Sequence, residues 1–401
     1  MMVKQGTSTV VPRLRFPEFR GTNGWQAKPL GSICEVQNNR RRPITSNDRV
    51  PGPYPYYGAS GVVDFVNNYI FDERLLLVGE DGAKWGRFES TAFIAKGKYW
   101  VNNHAHVLKA IGVKDSLLEN YLTMLDVAPF VTGAAPPKLT LAKLKGIPIP
   151  VPSTSIEQQK IADCLTSLDE VIAAQGRIVA ALKAHKRGLM QQLFPREGET
   201  RPRLRFPEFR NAPEWALQSL DGFIEEFREK SSLQDEYEVL TSARAGLIRQ
   251  RDYYDNDRIA ERDNVGFNVI PPNYLTYRSR SDDRRFYFNE NNLGITGIIS
   301  TYYPVFRIRE GSNKFFIELL SQHAELVGKV SVGTSQTVLS LKELRRIKLP
   351  IPSSVEQQMV ATSLASIDTQ ITAESNQLTA LKTHKQGLMQ QLFPSREVVA
   401  A

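Results

Sequence analysis

The phrase Pro12-Arg13-Leu14-Arg15-Phe16-Pro17-Glu18-Phe19-Arg20 returns letter for letter at Pro202 to Arg210, so one chain carries two copies of a structural unit. Such a repeat decides the architecture before any single element is read, because each copy needs apolar surface of its own to bury. The ends of the copies agree as well. Glu157-Gln158-Gln159 leads to Gly188-Leu189-Met190-Gln191-Gln192-Leu193-Phe194-Pro195, and Glu356-Gln357-Gln358 leads to Gly387-Leu388-Met389-Gln390-Gln391-Leu392-Phe393-Pro394. At 401 residues the chain exceeds one ordinary core. It suits two domains of about 150 residues plus connecting elements.

Apolar residues at 41% and charged residues at 23% fit a folded chain rather than a disordered one, and 26 Gly with 23 Pro imply many loops. Cys34 and Cys164 are too few for a disulfide framework or a cysteine-rich zinc site, so a reducing, cytoplasmic compartment is expected. The opening residues hold no apolar signal region and no run of about 18 apolar residues follows, so no membrane association is expected. The formal charge of +8 permits a polyanionic partner without requiring one.

Each copy has an irregular part, about Gly21 to Gly146 in the first and Asn211 to Arg346 in the second, whose interiors barely resemble one another. Gly61 to Val66, Arg74 to Val78 and Trp100 to Val107 read as strands between Gly or Asn turns, as do Phe267 to Ile270 and Tyr302 to Ile308. Both irregular parts are therefore expected to be mixed, strand-rich domains. They close alike: Gly133 precedes Leu139, Leu141 and Leu144, and Gly333 precedes Leu339, Leu341 and Leu344. Proline-rich segments follow, and the hydroxyl residues after them suit helix caps, Ser153 or Ser155 in one copy and Ser353 or Ser354 in the other.

Two long helices come next. Ile161, Leu165, Leu168, Ile172, Leu182 and Leu189 form an apolar stripe spaced mainly by three and four, with Val171 and the Ile178-Val179 pair as neighbouring choices. Val360, Leu364, Ile367, Ile371, Leu378, Leu381 and Leu388 repeat it. Each helix spans roughly 37 residues, or about 55 Å. A stripe of that length needs a partner along its whole length, and its own duplicate is the matching one, which predicts a coiled coil. Because a whole domain lies between the helices, antiparallel pairing is expected; the other possibility is that the stripes pack onto the domain bodies or onto another protein. The fold class is thus α+β, two strand-rich domains separated by two long antiparallel coiled-coil helices, with internal pseudo-twofold symmetry. The expected divisions are 1–146, 147–200, 201–346 and 347–401.

This layout, with the Glu-Gln-Gln helix opening and the Gly-Leu-Met-Gln-Gln-Leu-Phe-Pro close, resembles the specificity subunit of type I restriction-modification enzymes. In the first domain Leu30-Gly31, Tyr56 to Gly61, Leu77 to Gly82 and Asn103 to Leu108 look like that family's target-recognition domain. The second domain shows no evident counterpart of Gly79-Glu80-Asp81-Gly82. The resemblance implies a non-catalytic subunit in which each domain reads one half of a split, asymmetric double-stranded DNA target and the helical rod sets the spacing. It implies docking to two methyltransferase subunits and two restriction/translocase subunits, with S-adenosylmethionine, ATP and Mg on those partners and no cofactor on this chain. It also implies that the first Pro-Arg-Leu-Arg-Phe-Pro-Glu-Phe-Arg phrase packs near the far end of the second helix.

Reading bases requires donors and acceptors on loops or helix ends, while phosphate contacts only position the duplex. In the first domain the candidates are Arg40, Arg41, Arg42, Lys84, Arg87, Asn102, Asn103, His104, His106 and Thr132. In the second they are Ser242, Arg244, Arg249, Gln250, Arg251, Arg278, Arg280, Thr334, Ser335 and Gln336. Each has an ordinary alternative: charge runs are often solvated, Trp85 suits packing, the Asn102 to His106 set suits internal hydrogen bonding, and Asp282 and Asp283 can pair with the arginines around them. No catalytic residues are expected. A phosphate loop ending in Gly-Lys-Ser or Gly-Lys-Thr is absent, Pro271-Pro272-Asn273-Tyr274 has the residue types of an amino-methylating site in the wrong order, and the two histidines lack a metal-ligand pattern. A scaffold whose two lobes bind protein is the competing functional class, disfavoured by the basic balance and the Arg/Asn/Gln-rich loops.

Overall fold

A computed structural model describes residues 9–133, 135–244, 246–253, 263–334 and 336–394. The chain forms two compact units, one of residues 1–177 with 375–401 and the other of residues 178–374. The boundaries fall inside the long helices, Ser155–Leu193 and Ser354–Leu392, so each helix gives one part to each unit.

Within the first unit, a four-stranded antiparallel sheet has the order Cys34–Val36, Ala105–Ala110, Leu75–Gly79, Ala92–Ala95. The second unit repeats it with Ile224–Phe227, Val305–Ile308, Leu275–Tyr277 and Phe288–Glu290. A second sheet also recurs. Its order is Gly61–Val66, Pro51–Gly58, Lys98–Val101, Phe71–Asp72 in one unit and Gly246–Arg249, Glu238–Ala243, Gly297–Ile299, Asn268–Ile270 in the other, with the central pair parallel in both. Domains whose interiors differ in sequence therefore share one strand order. The expected strand from Trp100 to Val107 is two strands, broken by a turn in which the buried Asn102 side chain accepts from the His104 amide at 2.8 Å. Likewise only Val305–Ile308 of the Tyr302 to Ile308 stretch is a strand.

The shared leucines explain the common close. Leu139, Leu144, Leu339 and Leu344 are buried, and short helices Leu141–Lys145 and Leu341–Arg346 begin where Thr140 and Ser340 accept hydrogen bonds from the backbone three residues on. Next come proline-containing strands, Pro148–Val151 and Lys348–Ile351, each at a sheet edge where the missing proline N–H costs nothing. The first long helix is capped by Thr154, whose Oγ1 accepts from the Glu157 amide at 3.2 Å, and not by Ser153 or Ser155. Ser153 instead donates to the Gly24 carbonyl at 2.9 Å. Ser353 caps the second helix at 3.4 Å, as expected.

The Glu-Gln-Gln openings and the duplicated phrases meet in one clip per unit. Glu157 is wholly buried and accepts from Arg15 Nε and Nη2 at 2.6 and 2.7 Å and from Trp25 Nε1 at 3.1 Å. Glu356 accepts from Arg205 Nε and Nη2, both at 2.7 Å, and from Trp215 Nε1 at 3.2 Å. The other guanidinium donors reach backbone carbonyls, Thr22 and Asn23 in one copy and Ala212 and Pro213 in the other. Both buried charges are thereby paired, which is the condition for tolerating them. The same phrase seals the end of a long helix: the Leu14 amide donates to the Gln391 carbonyl at 2.9 Å, and the Leu204 amide to Gln192 at 2.9 Å. Trp25 meets Phe393 edge-on at 6.4 Å, and Trp215 meets Phe194 likewise at 6.2 Å.

Helix direction is readable inside each unit. In the first, Ile161 and Leu165 share a core with Met389, Leu392 and Phe393, while the later Asp169 pairs with the earlier Lys385 at 2.6 Å. In the second, Val360 and Leu364 share a core with Leu193 and Phe194, and Asp368 pairs with Lys186 at 2.8 Å. Both runs are antiparallel. All the seam residues named from the sequence are buried or half-buried, whereas Val171 and Ile178 face solvent and Val179 is the buried member of its pair. The helix ends also enter the domain cores, so the stripes serve two packing partners. Among the described residues no helix is long and apolar enough to cross a membrane.

Candidate nucleic-acid interface

In the first unit the strand Leu75–Gly79 runs into a loop that opens with Glu80 and Asp81, and a closed network surrounds it. Arg41 Nη1 donates to Glu80 Oε2 at 2.7 Å and to the Ala105 and Asn103 carbonyls at 2.9 and 3.2 Å. Lys138 reaches both Glu80 and Asp81, and Asp81 also holds the His104 ring. Burial by itself would raise the Glu80 carboxyl, but the Arg41 hydrogen bond and the charges around it outweigh that and hold it below the ordinary range. Asp81 is lowered in the same way, its burial outweighed by His104 and Lys138.

His106 lies inside this network, 1% exposed. Its Nε2 contacts the Leu139 carbonyl at 2.7 Å, and its Nδ1 lies 2.9 Å from the Asn38 amide nitrogen. Since a carbonyl only accepts, Nε2 carries the proton and Nδ1 accepts, which is the neutral ring; burial pushes its pKa down. Asn102 is buried too. Arg40 is tied to Gln37 and Glu73 and lies over the Phe71 ring at 4.3 Å. These four candidates, Arg40, Arg41, Asn102 and His106, are engaged within the fold. Arg42, Lys84, Arg87, Asn103, His104 and Thr132 are exposed, and among the described residues Arg42 and Arg87 have no side-chain partner. Trp85 packs against the core, and its Nε1 donates to the Gly79 carbonyl at 3.3 Å.

The second unit builds a different tip at the same topological place. The Leu339 amide donates to the Ser279 carbonyl at 2.9 Å, as the Leu139 amide does to Glu80 at 2.8 Å. Arg280 pairs with Val338 as Asp81 pairs with Lys138, and the turns Thr132 to Lys138 and Val332 to Val338 close with matching bridges. Both turns contain a glycine at positive φ; a Cβ on Gly333 would stand 2.4 Å from the Gln336 carbonyl oxygen. Ser279 to Asp283 is therefore the counterpart of the Glu80-Asp81 loop that the sequence comparison does not reveal. Even the buried Leu339 carbonyl is satisfied by a substitute, the Tyr277 hydroxyl at 3.0 Å, from another strand than the one bearing His106.

Around that tip Ser242, Arg244, Arg278 and Arg280 come together with Asp282, Asp283 and Tyr287 in a groove of about 450 Å³. Arg244 pairs with Asp283 at 3.3 Å and lies 5.4 Å from the Tyr287 ring centre, and Arg280 stacks over Tyr302 at 4.0 Å. Asp283 is fixed by the Ser281 hydroxyl at 2.8 Å and the Arg285 amide at 3.1 Å, and these bonds, with Arg244 nearby, hold its carboxyl below the ordinary range. Arg278 is exposed with no side-chain partner among the described residues. Thr334 and Gln336 are exposed in the adjoining turn, Gln336 touching Asp282 at 3.4 Å, and Ser335 lies outside the described residues. Gln250 and Arg251 line a separate pocket, with Arg251 3.4 Å from Glu238, and Arg249 is half-buried at the end of the strand Gly246–Arg249. Sequence reasoning missed Lys138, Tyr287 and Tyr302; the place of Lys138 just before the shared leucine was the available signal.

Cys34 is buried, which pushes its thiol up to about 12, and among the described residues no group of three or more His, Cys, Asp or Glu is placed to hold a metal ion.

Comparison with known proteins agrees with this architecture. The family model for the type I restriction modification DNA specificity domain matches residues 22–184 and 247–383, one stretch in each copy. A putative type I restriction enzyme specificity subunit, S.HindORF215P of Haemophilus influenzae, is 40% identical over 144 residues, covering 35% of this chain and 37% of that protein. The aligned stretch thus spans about a third of that relative. The type I restriction enzyme MjaVIII specificity subunit of Methanocaldococcus jannaschii is 22% identical over 96% of this chain and 94% of its own length. Among solved structures, the S subunit of a type I restriction-modification system from M. genitalium shares the fold with a TM-score of 0.61 at 15% identity, over 96% of this chain and 100% of that one. A chain from a structural study of complex assembly and conformational transition in the type I R-M system aligns with a TM-score of 0.50 at 16% identity, over 93% and 98%. With two like domains, duplicated helices and a family match in both copies, this chain belongs to the type I restriction-modification specificity subunits, DNA-recognition proteins without a catalytic role of their own.

Proposed function

We propose that each domain reads one half of an asymmetric, bipartite target in double-stranded DNA, and that the paired helices set the gap between the halves. The observation that carries this reading is the pair of equivalent tips, Glu80-Asp81 and Ser279 to Asp283, held by the same strand order and the same leucine amide but bearing different side chains. A common scaffold with unlike tips is what two unlike half-sites require. The exposed groups Arg42, Lys84, Arg87, Asn103, His104 and Thr132 serve the first half-site; Arg244, Arg278, Arg280, Thr334 and Gln336 serve the second. On this reading residues 1–146 and 201–346 are the recognition domains, and 147–200 and 347–401 are the spacer segments. The helices dock two methyltransferase subunits, and two restriction/translocase subunits join in the full complex. S-adenosylmethionine, ATP and Mg belong to those partners, for which this chain supplies the address.

The test is selection from a pool of random duplexes at two salt concentrations, with and without a methyltransferase partner. Recovery of two short defined blocks with a fixed gap supports the reading. Salt-sensitive binding without sequence preference overturns it.

A further inference from the structure

The groove of the second domain has a mixed set of groups that a phosphate-binding surface would not use. Arg244, Arg278, Arg280 and Arg285 offer donors, while Asp282 and Asp283 present carboxylates in the same 450 Å³ space. A phosphate meeting this surface would face two anions beside the cations, whereas a base-pair edge offers both acceptors and a donor. We infer that this groove reads at least one G·C pair through the major groove, with Arg278 donating to guanine and Asp282 accepting from cytosine; the inference rests on the reading that the second domain contacts DNA.

Several features separate these two side chains from their neighbours. The Asp283 carboxylate is already committed, to Ser281, to the Arg285 amide and to Arg244, so it acts as a fixed brace that aims Arg244. Arg280 has one face covered by the Tyr302 ring. Of the four arginines lining the groove, Arg278 and Arg285 have neither an acid nor a ring against the guanidinium among the described residues, but Arg285 also lines the neighbouring groove beside His323 and Glu325; Asp282 receives only the Gln336 amide, at 3.4 Å. An open donor fork, Arg278, and an open acceptor, Asp282, therefore line the same groove. Guanine presents N7 and O6 as paired acceptors, which a guanidinium meets in a fork, and cytosine presents the N4 amino group, which a carboxylate accepts. An A·T pair offers no such pair of acceptors on one base. The corresponding tip of the first domain cannot read this way, since its carboxylates are closed by Arg41, Lys138 and His104.

The experiment is duplex selection with the methyltransferase-bound full chain, wild type against Arg278→Ala and Asp282→Asn. Both residues are exposed, and the half-site that the first domain reads reports in the same experiment on folding and assembly. The expected result is a G·C pair in one half-site whose preference falls about 5- to 150-fold in either variant, with the other half-site unchanged. Uniform weakening across all sequences, with the salt slope reduced by about 1, marks phosphate contact and overturns the inference while leaving the proposed function standing. A half-site without a G·C pair also overturns it. If the wild type selects no sequence at all, the underlying reading fails with it.

Discussion

Two loops occupy one place in one fold, Glu80-Asp81 in the first domain and Ser279 to Asp283 in the second, and their chemistry runs in opposite directions. The first is an acidic loop closed by Arg41, Lys138 and His104. The second is an arginine-bearing loop whose acids are divided, Asp283 bracing Arg244 and Asp282 left toward the groove. What stays constant is backbone: the strand order, the leucine amide and the bridged turn. The division has a physical basis. Backbone hydrogen bonds and leucine burial stabilise a domain whatever its tip carries, so the tip is free to vary, as the proposed reading of two unlike half-sites requires.

The comparison is broken most severely where the two copies should behave alike. Glu157→Ala and Glu356→Ala each leave a buried arginine without its carboxylate, and each should cost about 3–5 kcal/mol by denaturant unfolding. A large loss in one copy and none in the other would show that the clip is not a shared device. Charged residues at Leu168 and Leu182 together should cost roughly 1.5–3 kcal/mol, since both are half-buried on the seam. An unchanged midpoint would remove the seam from the account.

Finer effects separate the domains. Tyr277→Phe and His106→Leu both strip a partner from a buried leucine carbonyl, and about 1–3 kcal/mol is expected from each. Acid should then distinguish two histidines. Burial lowers the folded pKa of both His106 and His323, so each contributes stability above its unfolded value near about 6.5 that is lost as pH falls below it, by at most about 1.4 kcal/mol per pH unit. His106 has partners on both ring nitrogens, while the buried Nε2 of His323 has none among the described residues. Replacing His323 with Leu should therefore remove its share of the acid sensitivity at little cost at pH 8, and replacing His106 should remove its share at a visible cost. Unfolding curves at pH 8 and pH 5.5 decide between these outcomes.

The sequence made the scaffold's outline legible and hid most of the tips. Helix limits followed from the duplicated Glu-Gln-Gln and Leu-Phe-Pro runs because Pro195 and Pro394 cannot continue a helix. The seam followed from spacing, although spacing alone left Val171 against Ile172 and Ile178 against Val179 undecided. The role of Glu157 and Glu356 was not legible, because their partners Arg15 and Arg205 lie about 140–150 residues earlier in the chain. His106 and Asn102 looked like groove residues because a polar side chain near a strand can face either way, and only the Leu139 carbonyl and the Asn38 amide show that His106 points inward. The second domain's tip was invisible for a similar reason: its equivalence rests on backbone bonds, Ser279 to Leu339 and Arg280 to Val338, which place no demand on side-chain identity.

The most direct measurement replaces residues 202–346 with a second copy of residues 12–146 between the same two helices, and then determines the selected duplex. If like scaffolds with unlike tips read unlike half-sites, the asymmetric target should become an inverted repeat of the first half-site with its gap preserved. A folded, assembled protein that still selects the original asymmetric target would contradict the account.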